Sequence, residues 1–141
     1  MENIIKIIIV DDHDLIRHAV KQMLSCNSRL NVIEECEDGG QAIEAVRKLK
    51  PDVVIMDIEM KPVNGFKATE QICKEAPAVK VVAYSNNDEV VYAKKMFQLG
   101  AKGFVTKGSR SEELVTAIFS VYAGQEFVCE EIQNKINSYR Q

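Results

Sequence analysis

Short apolar runs alternate with amphipathic stretches along most of the chain. The runs at Ile7–Val10 and Val53–Met56 are apolar at every position, a pattern typical of strands buried on both faces of a parallel sheet. Most of the other runs are also rich in valine and isoleucine, which favour strands. The sequence therefore predicts five strands, at Ile4–Val10, Asn31–Cys36, Asp52–Asp57, Val79–Tyr84 and Gly103–Val105.

The stretches between these runs repeat apolar residues at helical spacing, most clearly at Leu15–Leu24, Ala42–Leu49 and Leu114–Val121. Gly100 stands where a helix C-terminal cap belongs, and Ser111 with two glutamates after it is typical of a helix start. A turn is predicted at Asp38-Gly39-Gly40. Five strand–helix units in succession predict an α/β fold with a doubly wound parallel sheet.

The segment from Gly124 to Gln141 lies outside this alternation. Its apolar residues recur at helical spacing, which predicts either a short extra helix or the start of a linker. A chain of 141 residues is expected to form one domain. We therefore place the domain at residues 1–123 and the helix or linker at residues 124–141.

Composition narrows the classes of function. The 18 Lys and Arg residues against 21 Asp and Glu give a net charge of −3, so we expect no direct DNA binding by this chain. No apolar run approaches the length of a membrane span, which favours a cytoplasmic protein without membrane contact. The four cysteines form no C-x-x-C pair, and we expect reduced, mostly buried thiols.

Polar side chains follow four of the predicted strands. They are the pair Asp11-Asp12, Asp57, Ser85 and Lys107. Groups just past the carboxyl ends of parallel strands meet in one crevice, so we expect these side chains to converge. Taken singly, the carboxylates could be helix caps, and Ser85 and Lys107 an ordinary turn residue and surface lysine. A second acidic run, Glu34–Asp38, is interpreted as a solvated edge.

The combined set suits phosphoryl transfer to a carboxylate. Adjacent carboxylates at a strand end repel one another unless a cation lies between them, and oxygen ligands are those that Mg²⁺ prefers. An oxygen of Asp57 would attack phosphorus, with the cation held by Asp12 and Asp57 and by Asp11 through water. Lys107 and the Ser85 hydroxyl would bind oxygens of the transferred group.

Several stretches resemble the response-regulator receiver domain of two-component signalling. They are IIIVDDHDLIR, EDGGQAIEA, PDVVIMDIEM with Gly65 at the family spacing, VVAYS and GAKGFVTKG, which together span roughly residues 4 to 123. The resemblance implies a flavodoxin-like (βα)5 sheet with strand order 2-1-3-4-5. It also implies a phosphoacceptor rather than an enzyme, with Asp57 receiving the phosphoryl group from a histidine kinase or phosphotransfer protein.

The same resemblance assigns further roles. The backbone carbonyl of Glu59 would complete the Mg²⁺ ligands. Phosphorylation would draw the Ser85 hydroxyl inward, and Phe104 would rotate into the vacated space. The helix from about Asn87 to Leu99 would change surface with it, and some receivers form homodimers when phosphorylated. The first and last helices, or the face of helix four, strand five and helix five, are the candidate dimer surfaces.

The chain departs from the family pattern at two places. Lys61-Pro62 stands where many members have proline directly after the methionine, which places a positive charge near Asp57. Gly108 follows Lys107, where many members have a cis proline. This ending and the tail GQEFVCEEI resemble receivers joined to LuxR-type DNA-binding domains. We expect either transcriptional output through a domain outside this chain or a stand-alone receiver that binds a protein.

Three other classes of protein fit the residues less well. A phosphatase of the haloacid-dehalogenase type needs a second aspartate two residues after the nucleophile, where Glu59 stands. A nucleotide-binding protein needs a glycine-rich phosphate loop that this sequence lacks. A Ser-His-Asp hydrolase is disfavoured because Ser85 lies in no G-x-S-x-G elbow.

Overall fold

The computed structural model describes residues 3–139, which form a parallel sheet between layers of helices. The predicted boundaries at residues 1 and 141 lie outside the described residues. The elements in chain order are β1 Ile5–Val10, α1 Asp14–Ser25, β2 Leu30–Cys36, α2 Gly39–Leu49, β3 Val53–Met56, α3 Gly65–Glu75, β4 Lys80–Ser85, α4 Val90–Gln98, β5 Gly103–Thr106, α5 Ser111–Tyr122, β6 Phe127–Val128 and α6 Glu130–Tyr139.

The strands lie in the order β2-β1-β3-β4-β5-β6, and every neighbouring pair is parallel. The prediction of a flavodoxin-like sheet with five strands in the order 2-1-3-4-5 is confirmed. All four residues of β3 are buried, and so are the last four of β1. Their uninterrupted apolar runs are explained by helices packed on both faces of the sheet.

The C-terminal segment continues the strand–helix alternation, whereas the sequence pattern placed it outside. Phe127 and Val128 pair with Gly103 and Phe104 of β5, and the amide of Cys129 donates to the Phe104 carbonyl at 3.0 Å. The predicted extra helix is present as α6, which packs against α4 and β5. A two-residue strand has no periodicity to detect, so only its pairing with β5 defines it.

Two local predictions need correction. Asp38-Gly39-Gly40 is a helix start, because the Asp38 carboxylate caps α2 by accepting from the amides of Gly40 and Gln41. The fourth helix runs over Val90–Gln98 and so begins later than predicted. Gly100 follows it with φ +113°, as its predicted cap role requires. All four cysteines are free thiols, and burial raises the pKa of Cys36 to about 12.

Candidate phosphoryl-transfer site

The sheet brings the predicted polar residues to one edge. Asp11 follows β1, Asp57 follows β3, Ser85 ends β4 and Lys107 follows β5. The Asp57 amide donates to the Val10 carbonyl at 2.9 Å, and the Lys107 amide donates to the Ser85 carbonyl at 2.8 Å. These backbone bonds continue the ladders past the strand ends and hold the loops in fixed register.

Lys107 joins two of the carboxylates. Its Nζ lies 2.6 Å from Asp11 Oδ2 and 3.3 Å from Asp57 Oδ1. The side chains of Lys107 and Asp57 are only 6% and 7% exposed, so this is a buried ion cluster and not a surface pair. Burial lowers the pKa of Lys107, but hydrogen bonds and charge from Asp11 and Asp57 raise it further, so the net pKa lies above its usual value.

The environment of Asp57 disfavours its ionised carboxylate. Burial and the neighbouring charge of Asp11 raise its pKa from 3.8 to about 6, although Lys107 and the amide of Ile58 act in the opposite direction. Asp57 Oδ1 accepts from that amide at 2.9 Å and from Lys107. The single lysine therefore does not compensate two buried carboxylates, and the site favours an additional positive charge.

This arrangement predicts how the stability of the metal-free protein depends on pH. Because folding raises the pKa of Asp57, the folded state binds the proton more tightly than the unfolded chain does. The Asp57 contribution to the free energy of unfolding should fall by up to about 3 kcal/mol as pH rises from about 4 to about 6. Urea unfolding in EDTA across this range, with Asp57→Asn beside wild type, measures the difference. A difference between the two proteins that does not change with pH contradicts the prediction.

The acidic residues form a compact ligand set. One potential ligand atom from each of Asp11, Asp12, His13 and Asp57 lies within 4.8 Å of the others. Asp12 is partly exposed, while Asp11 and Asp57 are buried. Three carboxylates at one opening provide the hard oxygen donors that suit Mg²⁺ and leave its other positions to water. The residues present therefore fit this cation.

His13 is the member of this set that sequence reasoning missed as a site residue. Its Nδ1 lies 3.0 Å from an oxygen of Asp11 and 3.0 Å from an oxygen of Asp12. The hydrogen bond to Asp11 and the charges of both carboxylates raise the pKa of His13. Its position directly after the acidic pair was a usable signal, and its side chain makes no capping hydrogen bond to α1.

Ser85 and Phe104 lie on neighbouring strands beneath the opening. The Ser85 hydroxyl is buried and accepts from the Asn87 amide at 3.0 Å, so it is bound to its own loop. Phe104 is completely buried in β5. The structure thus shows Phe104 as a core aromatic, covered in part by the pairing of β5 with β6.

The loop after β3 forms one wall of an open cavity of about 540 Å³ beside the site. The carboxylate of Glu59 accepts from the Asn87 side chain at 2.7 Å, which links this loop to the one after β4. Lys61 lines the same cavity as Asp12, and the Lys61–Pro62 peptide is cis. At Gly108, by contrast, a side chain would meet open space.

The acidic run on β2 is not simply a solvated edge. Glu35 Oε1 accepts from Nε of Arg17 at 3.3 Å, and its other oxygen lies 3.5 Å from Nζ of Lys21. Glu37 lies 3.8 Å from the same guanidinium. β2 is an edge strand and the Glu37 side chain is 64% exposed, so the interpretation holds in part. It missed the contacts of Glu35 with Arg17 and Lys21 of α1, which the order of residues along β2 does not reveal.

Comparison with known proteins agrees with this geometry. The family model described as the response regulator receiver domain matches residues 7–119, which include every residue of the acidic cluster. This chain belongs to the response-regulator receiver family. Membership of this family accounts for the strand order of the sheet.

Relatives of the receiver include longer regulators. It is 37% identical over 132 residues to the response regulator GacA of Pseudomonas aeruginosa, covering 94% of this chain and 62% of GacA. It is also 37% identical to the transcriptional regulatory protein DegU of Brevibacillus brevis, covering 99% of this chain and 59% of DegU. The chain thus spans about three-fifths of the length of these curated relatives.

Solved structures show the same fold. The receiver superposes on a LuxR-family two-component response regulator from Aurantimonas sp. SI85-9A1 with a TM-score of 0.94 and 30% identity, covering 98% of this chain and 99% of that one. The receiver domain of the putative response regulator NarL from Mycobacterium tuberculosis gives 0.83 and 29%, with 88% and 100% covered. Within residues 3–139, the receiver has no helix that is long and apolar enough to cross a membrane.

Proposed function

We propose that Asp57 is the phosphoacceptor of this receiver. The observation that carries the proposal is the contact of Lys107 Nζ with both Asp11 and Asp57. Each of these three residues follows a different strand. A buried carboxylate beside a lysine can become an acyl phosphate whose oxygens the lysine contacts, and a cation at the neighbouring carboxylates would neutralise the rest of the added charge. An ion pair with a purely structural role needs one carboxylate for Lys107, whereas this lysine contacts two.

The transfer is a substitution at phosphorus. Asp57 Oδ1 is engaged by Lys107 and the Ile58 amide, so we assign the attack to Oδ2. The new bond joins Oδ2 to phosphorus, and the bond from phosphorus to the donor nitrogen of a phosphohistidine breaks, with its electron pair leaving on that nitrogen. Lys107 and the Ser85 hydroxyl bind oxygens of the transferred group.

Mg²⁺ is the cofactor that this site would use. The carboxylates of Asp11, Asp12 and Asp57 and the backbone carbonyl of Glu59 are the groups that would hold it. When bound, Mg²⁺ neutralises charge on the phosphoryl oxygens. The carboxylates themselves exclude a second anion from the opening, so the chain's own charge makes phosphorylation depend on the cation.

The switch that we propose runs from Ser85 to the C-terminal elements. The Ser85 oxygen accepts from the Asn87 amide, so its own proton is available to donate to a phosphoryl group on Asp57, which would draw the hydroxyl inward. Phe104 is already buried, so phosphorylation would change its packing beneath β6 and α6 more than its exposure. Glu131 of α6, which accepts from the Thr106 hydroxyl at 2.7 Å beside Lys107, supports this route.

The partners follow from the receiver assignment. A histidine kinase or phosphotransfer protein would supply the phosphoryl group, and control of transcription is the output favoured by the name of the transcriptional regulatory protein DegU. DNA contact would then belong to a domain outside these residues. A stand-alone receiver acting on a protein partner is the second candidate. Because α6 occupies part of the α4–β5 face, α1 and α5 are the surface that we propose for a phosphorylation-dependent homodimer.

A direct test uses intact-protein mass spectrometry. The 141-residue chain is incubated with a small acyl phosphate in Mg²⁺ and, in parallel, in EDTA. We expect one phosphoryl adduct in Mg²⁺ only, removed by hydroxylamine, because an acyl phosphate on a carboxylate is cleaved by that nucleophile. Borohydride reduction followed by peptide mapping should place it on Asp57. An adduct on serine or threonine that is stable to hydroxylamine, or one that peptide mapping places on a histidine, would contradict the proposal.

A further inference from the structure

Arg17 is a buried cation that the proposed transfer does not use. It lies on α1 one turn after the acidic pair, and its side chain is only 10% exposed. A charged group in such a position is costly unless its donors are satisfied. The acceptors around the Arg17 guanidinium therefore indicate the role of this side chain.

Four acceptors surround the Arg17 guanidinium. Nη1 donates to the backbone carbonyl of Asp11 at 2.5 Å, and Nη2 donates to the Asp14 carboxylate. Nε donates to Glu35 Oε1 at 3.3 Å, and Nη2 lies 3.8 Å from Glu37. The guanidinium thus connects the loop after β1 with the end of β2.

The contact with the Asp11 carbonyl acts on the ligand set. That oxygen belongs to the same planar peptide unit as the amide nitrogen of Asp12, so holding the oxygen fixes the direction in which Asp12 leaves the strand. The other polar atoms of Asp11 are held as well: its amide by the Cys36 carbonyl, Oδ1 by the His13 amide and Oδ2 by Lys107.

We propose that Arg17 is a positioning residue for the cation site, and that Glu35 in turn orients Arg17. Resting on the proposed function, this inference concerns how Asp11 and Asp12 are aimed and not which residues bind the cation. Lysine should not replace Arg17, because only the planar fork of a guanidinium reaches acceptors in several fixed directions at once.

The chain provides a matched control in Lys21. It lies one helical turn after Arg17 and shares Glu35 as a partner, but its contact is longer, at 3.5 Å, and its side chain is 53% exposed. Lys21→Met removes a basic group from the same stripe of α1 while leaving the contact with the Asp11 carbonyl in place. It therefore separates loss of charge from loss of positioning.

The test measures binding of Mn²⁺, a spectroscopic substitute for Mg²⁺ at oxygen ligands, by the electron paramagnetic resonance signal of the free ion. The proteins are wild type, Arg17→Lys, Arg17→Met, Glu35→Gln, Lys21→Met and Asp12→Asn. We expect the Kd to rise about tenfold in Arg17→Lys, as for other groups that orient metal ligands, and less in Glu35→Gln. Lys21→Met should bind as wild type does.

A second measurement separates positioning from folding. Phosphorylation by an acyl phosphate should slow in Arg17→Lys at limiting Mg²⁺ and recover at saturating Mg²⁺, whereas a merely structural role lowers the thermal midpoint and leaves the Kd unchanged. If Arg17→Met does not fold, Arg17→Lys and Glu35→Gln decide.

Two negative results are distinguishable. Wild-type Kd values in the Arg17 and Glu35 variants, with binding weakened in Asp12→Asn, would overturn the role of Arg17 alone. A wild-type protein that binds no Mn²⁺ would overturn the cation site itself and the inference with it.

Discussion

Asp57→Asn is expected to abolish the phosphoryl adduct and, at the same time, to stabilise the metal-free protein. The adduct is lost because the amide is a poor nucleophile at phosphorus and cannot form an acyl phosphate. Stability rises because asparagine keeps the acceptor for the Ile58 amide but removes a buried negative charge next to Asp11. Most single substitutions destabilise a protein, so a gain here is a specific signature of electrostatic strain at the site.

The size of the gain follows from the pKa of Asp57. Its displacement from 3.8 to about 6 corresponds to about 3 kcal/mol, a net figure that already includes the opposing contact with Lys107. We expect about 1–3 kcal/mol near neutral pH in EDTA, measured by urea unfolding of both proteins.

Mg²⁺ provides the control for this prediction. The cation should stabilise wild type and have a much smaller effect on Asp57→Asn, since ligand binding stabilises only a folded state that has the site. A variant that loses stability in EDTA contradicts the electrostatic strain, and a variant that still forms an adduct labile to hydroxylamine contradicts the assignment of Asp57.

Gly65→Ala should severely disturb the site by a steric route. A Cβ built at Gly65 lies 2.0 Å from the backbone oxygen of Asp57 and 2.8 Å from Cα of Ile58. Both neighbours are backbone atoms, so a change of side-chain rotamer cannot relieve the clash. Instead, α3 must shift away from the loop that carries Asp57. The Gly65 amide would then lose its 2.8 Å bond to the Ile58 carbonyl.

We expect Gly65→Ala to lower the free energy of unfolding by at least about 2 kcal/mol and to reduce the rate of phosphorylation in whatever fraction folds. Urea unfolding and adduct formation over time measure the two effects. Gly108→Ala is the matched control: it also lies beside the site, but its Cβ would meet nothing within 4 Å, so it should behave as wild type. Equal effects of the two substitutions would show that loss of glycine flexibility, and not the clash, is responsible.

The strand ends explain why so much of the candidate site could be predicted. Val53–Met56 is short, wholly apolar and directly followed by Asp57, and Ile7–Val10 is followed in the same way by Asp11. A buried parallel strand must end at the edge of the sheet, and the first polar residue after it must face that edge or be solvated. For such residues, the local sequence is enough to predict their position at the edge of the sheet.

Arg17 and Glu35 show where this reasoning stops. Nothing in the spacing of an arginine on α1 and a glutamate on β2 indicates that they meet beneath the Asp11 carbonyl. Their contact depends on how α1 lies against the edge of the sheet, which is a property of packing and not of either segment. For the same reason, the ion-paired Glu35 of β2 was indistinguishable from its exposed acidic neighbours.

The sequence by itself determined the α/β class, the first five strands and which polar residues follow them, because hydrophobic periodicity and strand-end polarity are local properties of the chain. Only the tertiary structure decided the rest: the pairing of Phe127 and Val128 with β5, the burial of Phe104 and the raised pKa of Asp57. Each of these depends on distances between segments far apart in the sequence. Burial and Coulomb interactions act through those distances, so their effects exist only once the chain has folded.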